Sequence, residues 1–231
     1  TTILGSAPKE WLAHWRGQVG NWEANRIMGE AQDKGSRIHE AISGLILGGQ
    51  IIFNNPKAPK YTDEEIQELS KDKISYIIKD QQEHLEIYRF SKFVEEVKPK
   101  FIATDLIVYS LQHEYAGTLD IIAEFEGGKY NINGVKPIDI AKGRYIIDIK
   151  TGKEDDLNYP KQLASYMVGY EERTDNPKID GGMIIYTNAK TKGKIEGLKT
   201  VVYSREELEK HFQGFLNIKK IFYFLFHNIF W

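Results

Sequence analysis

Tyr145-Ile146-Ile147-Asp148-Ile149-Lys150-Thr151-Gly152 is the stretch whose reading decides the fold. Its apolar, β-branched lead-in predicts a buried strand, and Gly152 marks the turn after it. Side chains alternate along a strand, so Asp148 and Lys150 share one face while Ile149 points the other way. A carboxylate beside an ammonium at the end of a buried strand is, in isolation, most simply an ion pair. The same two groups also suit a metal ligand next to a residue that handles a nucleophilic water. What the rest of the chain brings to this strand has to separate the two readings.

Outward from it, residues 101–110 and 115–125 are strand-like and set apart by Gly-containing turns, and residues 182–187 and 197–203 give two further strands. Residues 156–173 predict a helix, with Pro160 in its first turn or ending a short preamble. Ser204-Arg205-Glu206-Glu207 is a capping box that opens a last helix reaching about residue 226.

Upstream the texture is helical. Trp11, Leu12, Trp15, Val19, Trp22 and Ile27 recur at helical spacing. The Trp residues are read as packing groups, with base stacking as the alternative. Ile38, Ile42, Leu45 and Ile46 form the apolar stripe of a second helix, with Gly35 and Ser36 near its start and His39 at the stripe's border. A His in such a place is ordinarily a hydrogen-bonded core residue, and alone it does not argue for a ligand. Gly48 and Gly49 break that helix, residues 54–60 form a loop, and Thr62-Asp63-Glu64-Glu65 caps a short helix. A long helix is expected over residues 72–97, stopped by Pro99. Helices followed by a run of strands argue for a mixed α and β architecture rather than a repeat array.

A chain of 231 residues can bury a full core, and 41% hydrophobic with 28% charged residues is ordinary for a globular protein. No apolar run reaches a membrane span, and the first residues lack the pattern of a secretory signal. With no Cys, disulfides, thiolate zinc sites and cysteine-held iron–sulfur clusters are excluded. The composition suits a reducing cytoplasm. A formal net charge of −2 means that any nucleic-acid site is a local basic track, since binding to phosphates needs cations.

The second strand carries an acid of its own. Asp120 precedes Ile121-Ile122-Ala123, where burial costs desolvation unless a cation meets it. Taken alone Asp120 is equally a strand-end residue. If its strand neighbours that of Asp148, the two carboxylates converge, and at about 4 Å they repel by roughly 4 kcal/mol at an effective dielectric near 20. One Lys offsets that in part, a divalent cation fully, and hard oxygen ligands suit Mg²⁺ or Mn²⁺. Gln162 and Tyr166 stand one helical turn apart on the next helix.

In chain order, Gly35-x-x-x-His39-Glu40, Gly117-Thr118-Leu119-Asp120, Asp148-Ile149-Lys150 and Gln162-x-x-x-Tyr166 resemble the motifs of the PD-(D/E)XK nuclease superfamily. More narrowly they resemble its RecB-type branch, which includes small phage-type and mitochondrial genome-maintenance exonucleases. The residues before Asp120 are Thr-Leu where the superfamily nominally has Pro. The absence of Cys sets aside the iron–sulfur subgroup.

The resemblance implies a restriction-endonuclease-like α/β (α+β) core, a central mixed sheet flanked by helices. It would be one domain over residues 1–231, with residues 1–99 a helical wall and 100–231 the sheet core. It implies a metal-dependent DNA exonuclease acting in recombination, repair or replication. A structure-specific endonuclease of the same fold and a non-catalytic DNA-binding module are the alternatives. His39, Asp120, Asp148 and the Ile149 carbonyl would hold Mg²⁺ or Mn²⁺. Lys150 would orient or activate water, and Glu114 would add a second-metal or water-mediated contact. Gln162 and Tyr166 would position the scissile strand. Ser36 and Arg37, placed near a helix N-terminus, are read as phosphate contacts, with a merely exposed Arg as the equal alternative, and Lys153 and Lys161 as an extension of the basic track. The early helix and the 72–97 helix would wall the channel. The expected partner is DNA, as single strands or duplex ends, with a single-strand-binding or recombination protein as a further candidate. The expected location is a bacterial or phage-infected cytoplasm.

Overall fold

The computed structural model of the chain describes residues 2–5, 10–132, 137–152, 157–173, 175–192 and 194–227. The elements up to the sheet are α1 (Thr2–Gly5), α2 (Glu10–Val19), α3 (Asn21–Ile46), β1 (Gln50–Phe53), α4 (Asp63–Leu69), β2 (Ser75–Ile78) and α5 (Gln81–Val97). Then follow β3 (Lys100–Ser110), β4 (Tyr115–Phe125), β5 (Gly128–Tyr130), β6 (Ile138–Ile140), β7 (Gly143–Lys150), α6 (Tyr159–Glu171), β8 (Gly181–Tyr186), β9 (Lys199–Ser204) and α7 (Arg205–His227).

The central sheet has five strands in the order β3-β4-β7-β8-β9, with β7 and β8 parallel and the other neighbours antiparallel. The expected mixed sheet is therefore present, and the strand carrying Asp148 lies at its centre. A parallel pair needs a crossover, which α6 supplies between β7 and β8. One face of the sheet packs Ile121, Ile147, Ile149 and Ile185 against Ile38 and Ile42 of α3 and Phe90 and Phe93 of α5. The other packs Ile122, Ile146 and Ile184 against Leu163 and Met167 of α6 and Leu208 and Phe215 of α7. Both capping boxes are made, at Thr62 with Glu65 and at Ser204 with Glu207.

Three expectations are corrected. The His39 helix begins at Asn21, after Gly20 in a left-handed conformation, so Gly35, Ser36 and Arg37 sit mid-helix. Their backbone N–H groups are used inside the helix, and the helix-terminus argument for phosphate binding at Ser36 and Arg37 falls. Residues 75–78 are a strand, β2, paired in parallel with β1, and the helix starts only at Gln81, capped by Asp80. Ile74, Ile77 and Ile78 match helical spacing, but short apolar β-branched runs fit either period. Trp22 is exposed instead of packed, and the Trp11 side chain lies outside the described residues.

Candidate active site

The site forms where two central strands part. β4 and β7 pair from Phe125↔Gly143 to Ile121↔Ile147 and diverge beyond. In the gap the Ile149 N–H donates to Asp120 Oδ2 at 2.8 Å, so a carboxylate stands where a strand partner would be. A strand residue's N–H and C=O point to the same side, which turns the Ile149 carbonyl toward this gap as well.

The alternation of β4 slips by one at this point. Leu119 and Ile122 both pack with the α6/α7 layer, whereas Ile121 and Ala123 face α3 and α5. The slip turns Asp120 toward α3, where His39 Nδ1 stands 3.4 Å from its Oδ2. Burial alone would lower the His39 pKa, but the Asp120 carboxylate, aided by Asp148, outweighs it and lifts the imidazole above its ordinary value.

Asp148 and Lys150 share the opposite face of β7, as alternation requires. Asp148 is 1% exposed, and Lys150 Nζ lies 2.6 Å from its Oδ2. The ammonium is the one partner of that buried oxygen, which receives no other donor among the described residues. Burial, with the Asp120 charge adding to it, outweighs Lys150 and pushes the Asp148 carboxyl up to about 6. Burial would depress Lys150, but Asp148 more than compensates and raises it. Lys150 Nζ also donates to Gln162 Oε1 at 3.1 Å and sits 4.5 Å above the Tyr159 ring. Gln162 Nε2 in turn donates to the Tyr166 hydroxyl at 2.7 Å. Burial raises Tyr166 to about 12, which keeps it a neutral partner.

The fold thus brings together His39, Asp120, Asp148, Ile149, Lys150, Gln162 and Tyr166, in two groups joined at the Ile149 N–H. Among the described residues no three His, Asp or Glu side chains converge closely enough to hold an ion as they stand. The donor set nevertheless fits a hard divalent cation. A buried carboxylate is met by a single ammonium, and a second carboxylate and an imidazole sit across one peptide unit.

Of the other candidates, Ser36 lines a cleft shared with His39 and Asp120, whereas Glu114, Arg37 and Lys161 are engaged elsewhere. Glu114 is exposed in the turn before β4, 3.8 Å from Lys219 Nζ, and is six residues, roughly 20 Å of strand, from Asp120. Arg37 forks onto the buried Glu83 of α5, with Nη2 to Oε1 at 2.5 Å, and Ser36 Oγ donates to the Gln32 carbonyl at 3.1 Å. Lys161 turns back to the Leu157 carbonyl, and Lys153 lies outside the described residues. A cleft of about 580 Å³ opens over His39 and Asp120, walled by Ala31, Gln32 and Gly35 of α3. α5 contributes no lining and instead braces α3 from behind, through Arg37–Glu83 and through Lys34–Glu86 at 2.6 Å.

One residue and one role escaped the sequence reading. Asp105 lines the same cleft and falls between Thr104↔Ile121 and Leu106↔Leu119, which sets it opposite Asp120 with φ 51°. Its signal was present, a lone acid in the apolar run of β3. The role is that of Gly117, where an added Cβ would meet the Tyr166 ring at 2.6 Å. The glycine of Gly-Thr-Leu-Asp is thus a matter of space.

A mixed five-stranded sheet between helical layers, with Asp-x-Lys at the end of its central strand, is the architecture of a PD-(D/E)XK nuclease. Residues 8–222 match the sequence profile of the PD-(D/E)XK nuclease superfamily, and the chain belongs to that superfamily. No curated protein matches it in sequence. Membership points to a nuclease and implies DNA as substrate, and PD-(D/E)XK nucleases typically use divalent metals. Among the described residues no helix is long and apolar enough to cross a membrane.

Proposed function

We propose that this protein is a metal-dependent deoxyribonuclease that hydrolyses phosphodiester bonds as an exonuclease, at DNA ends or in single strands. The observation that carries the reading is Asp148, a buried carboxylate met only by Lys150 among the described residues, with Asp120 and His39 across Ile149. That much negative charge in a dry place is costly unless a cation offsets it. His39, Asp120, Asp148 and the Ile149 carbonyl would hold Mg²⁺ or Mn²⁺. A bound divalent ion would polarise the phosphoryl group and make its water a stronger nucleophile.

The chain's own groups do the rest. Lys150, held by Asp148 and Gln162, would orient the attacking water. Tyr166 steadies Gln162, and this pair would guide the scissile strand. The RecB-type motif order supports exonuclease action and a place in DNA recombination, repair or replication.

End-labelled single- and double-stranded DNA, with covalently closed circles alongside, tests this in Mg²⁺, Mn²⁺ or EDTA. Expected are shortening from ends with either metal, none in EDTA, intact circles, and loss of cleavage in Lys150→Ala. Undiminished cleavage by that variant would overturn the assignment, and cut circles would make the enzyme an endonuclease.

A further inference from the structure

The β3–β4 hairpin continues past the point where β4 leaves β7, and its two faces differ. One is covered, with Val108, Tyr115 and Leu119 buried in the α6/α7 layer. The other is open: Ile107 is 67% and Tyr109 39% exposed, and Ala116 and Thr118 are exposed beside them. Pairing sets Ile107 opposite Thr118 and Tyr109 opposite Ala116, so the four side chains form one patch. Leu111, 79% exposed, follows at the tip. Aromatic and β-branched residues normally fill the buried face of a half-covered sheet, so here a contact is missing.

The position of the patch says what completes it. Thr118 belongs both to the patch and to the cleft over His39 and Asp120, so the two surfaces are continuous. Tyr109 and Ala116 lie four residues from Asp120, roughly 13 Å along the strand. The patch carries no charge, which suits base faces and not phosphates. It occupies the face of the hairpin, whereas a second protein strand would add along the backbone edge of β3.

We propose that this open face is a stacking platform for unpaired bases of the DNA strand that enters the cleft, with Tyr109 stacked on a base and Ile107 packed beside it. This rests on the nuclease reading and specifies its substrate form as a strand whose bases next to the cut are unpaired. Base–aromatic stacking is tolerant of sequence, so the platform selects single-strandedness without reading a code.

The test measures binding of fluorescein-labelled single-stranded DNA and blunt duplex by anisotropy in Ca²⁺, with cleavage in Mn²⁺ run in parallel. The proteins are wild type, Ile107→Ser/Tyr109→Ser and Tyr109→Trp. The double variant is expected to melt like wild type, because both side chains are exposed, yet to bind single strands about 5- to 150-fold more weakly. One abasic nucleotide, stepped along the first few positions, should weaken wild type at one position and leave the double variant unaffected there. Tyr109→Trp should keep the affinity and lose fluorescence when single-stranded DNA binds.

Equal affinity of wild type and the double variant, or abasic penalties that persist in that variant, would overturn the platform while leaving the nuclease reading intact. A protein dimer dissolved by the same substitutions, with DNA affinity unchanged, would also overturn it and give the face to a second copy. Failure of wild type to bind or cut any DNA would sink both.

Discussion

Gly117→Ala is a small change with a distant effect that the structure lets one work out. A Cβ at Gly117 falls 2.6 Å from Tyr166 Cε1 and 3.5 Å from Cδ1 and Cζ. Carbon atoms rest at about 3.5–4.0 Å, so the ring must retreat by about 1 Å. Tyr166 is buried and cannot swing into solvent. Overpacking of this kind costs about 1–3 kcal/mol, and the lower unfolded-chain entropy of Ala returns about 0.4–1 kcal/mol. The expected net loss is about 1–2 kcal/mol in a urea melt. The larger effect falls on activity. Tyr166 holds Gln162 at 2.7 Å and Gln162 holds Lys150 at 3.1 Å, so a 1 Å displacement unseats the amine. Misplacement on that scale costs about 100-fold in rate. Adding Tyr166→Leu should relieve the clash and restore stability without restoring activity. A Gly117→Ala protein with wild-type melting and wild-type cleavage would refute the coupling.

Two further outcomes follow from buried charge. Glu171 accepts from the Ile179 N–H at 2.6 Å and from Arg205 at 2.6 and 2.9 Å. Burial alone would raise its pKa, but these bonds outweigh it and hold the carboxyl below its ordinary value. Its stabilisation is therefore present above the unfolded-state pKa of about 4.3 and lost as pH falls through the lower folded value. Glu171→Gln should lose about 2 kcal/mol at pH 7 in denaturant melts, and the gap to wild type should close in acid. Glu86, fully buried, joins Lys34 at 2.6 Å to the Thr187 hydroxyl at 2.8 Å. Glu86→Ala should cost about 3 kcal/mol and speed amide exchange in α3, and unchanged exchange there would show that α5 does not brace it.

The sheet and the central site motif were legible because each has a strong local signature. β7 announced itself by an apolar run ending in Asp-x-Lys, and α4 and α7 by capping boxes that the chain makes as written. What could not be read was set by tertiary context. β2 mimics a helix in its apolar spacing and becomes a strand because β1 is there to pair with it. α3 runs back to Asn21 because nothing short of Gly20 interrupts it, so Ser36 and Arg37 are not at a helix terminus, although Ser36 lines the cleft. Glu114 looked close to Asp120 in sequence, but an extended strand carries it away, whereas Asp105, fifteen positions upstream, returns opposite Asp120 through the hairpin. The slip in alternation that aims Asp120 at His39 has no signature in the residues themselves.

Soaking crystals of this protein in MnCl₂ and collecting anomalous diffraction would probe the site most directly. A manganese peak bonded to His39, Asp120, Asp148 and the carbonyl oxygen of Ile149, with Asp148 drawn off Lys150, is the predicted result. A map without manganese in that gap, or with it only on surface carboxylates while Asp148 stays on Lys150, would contradict it.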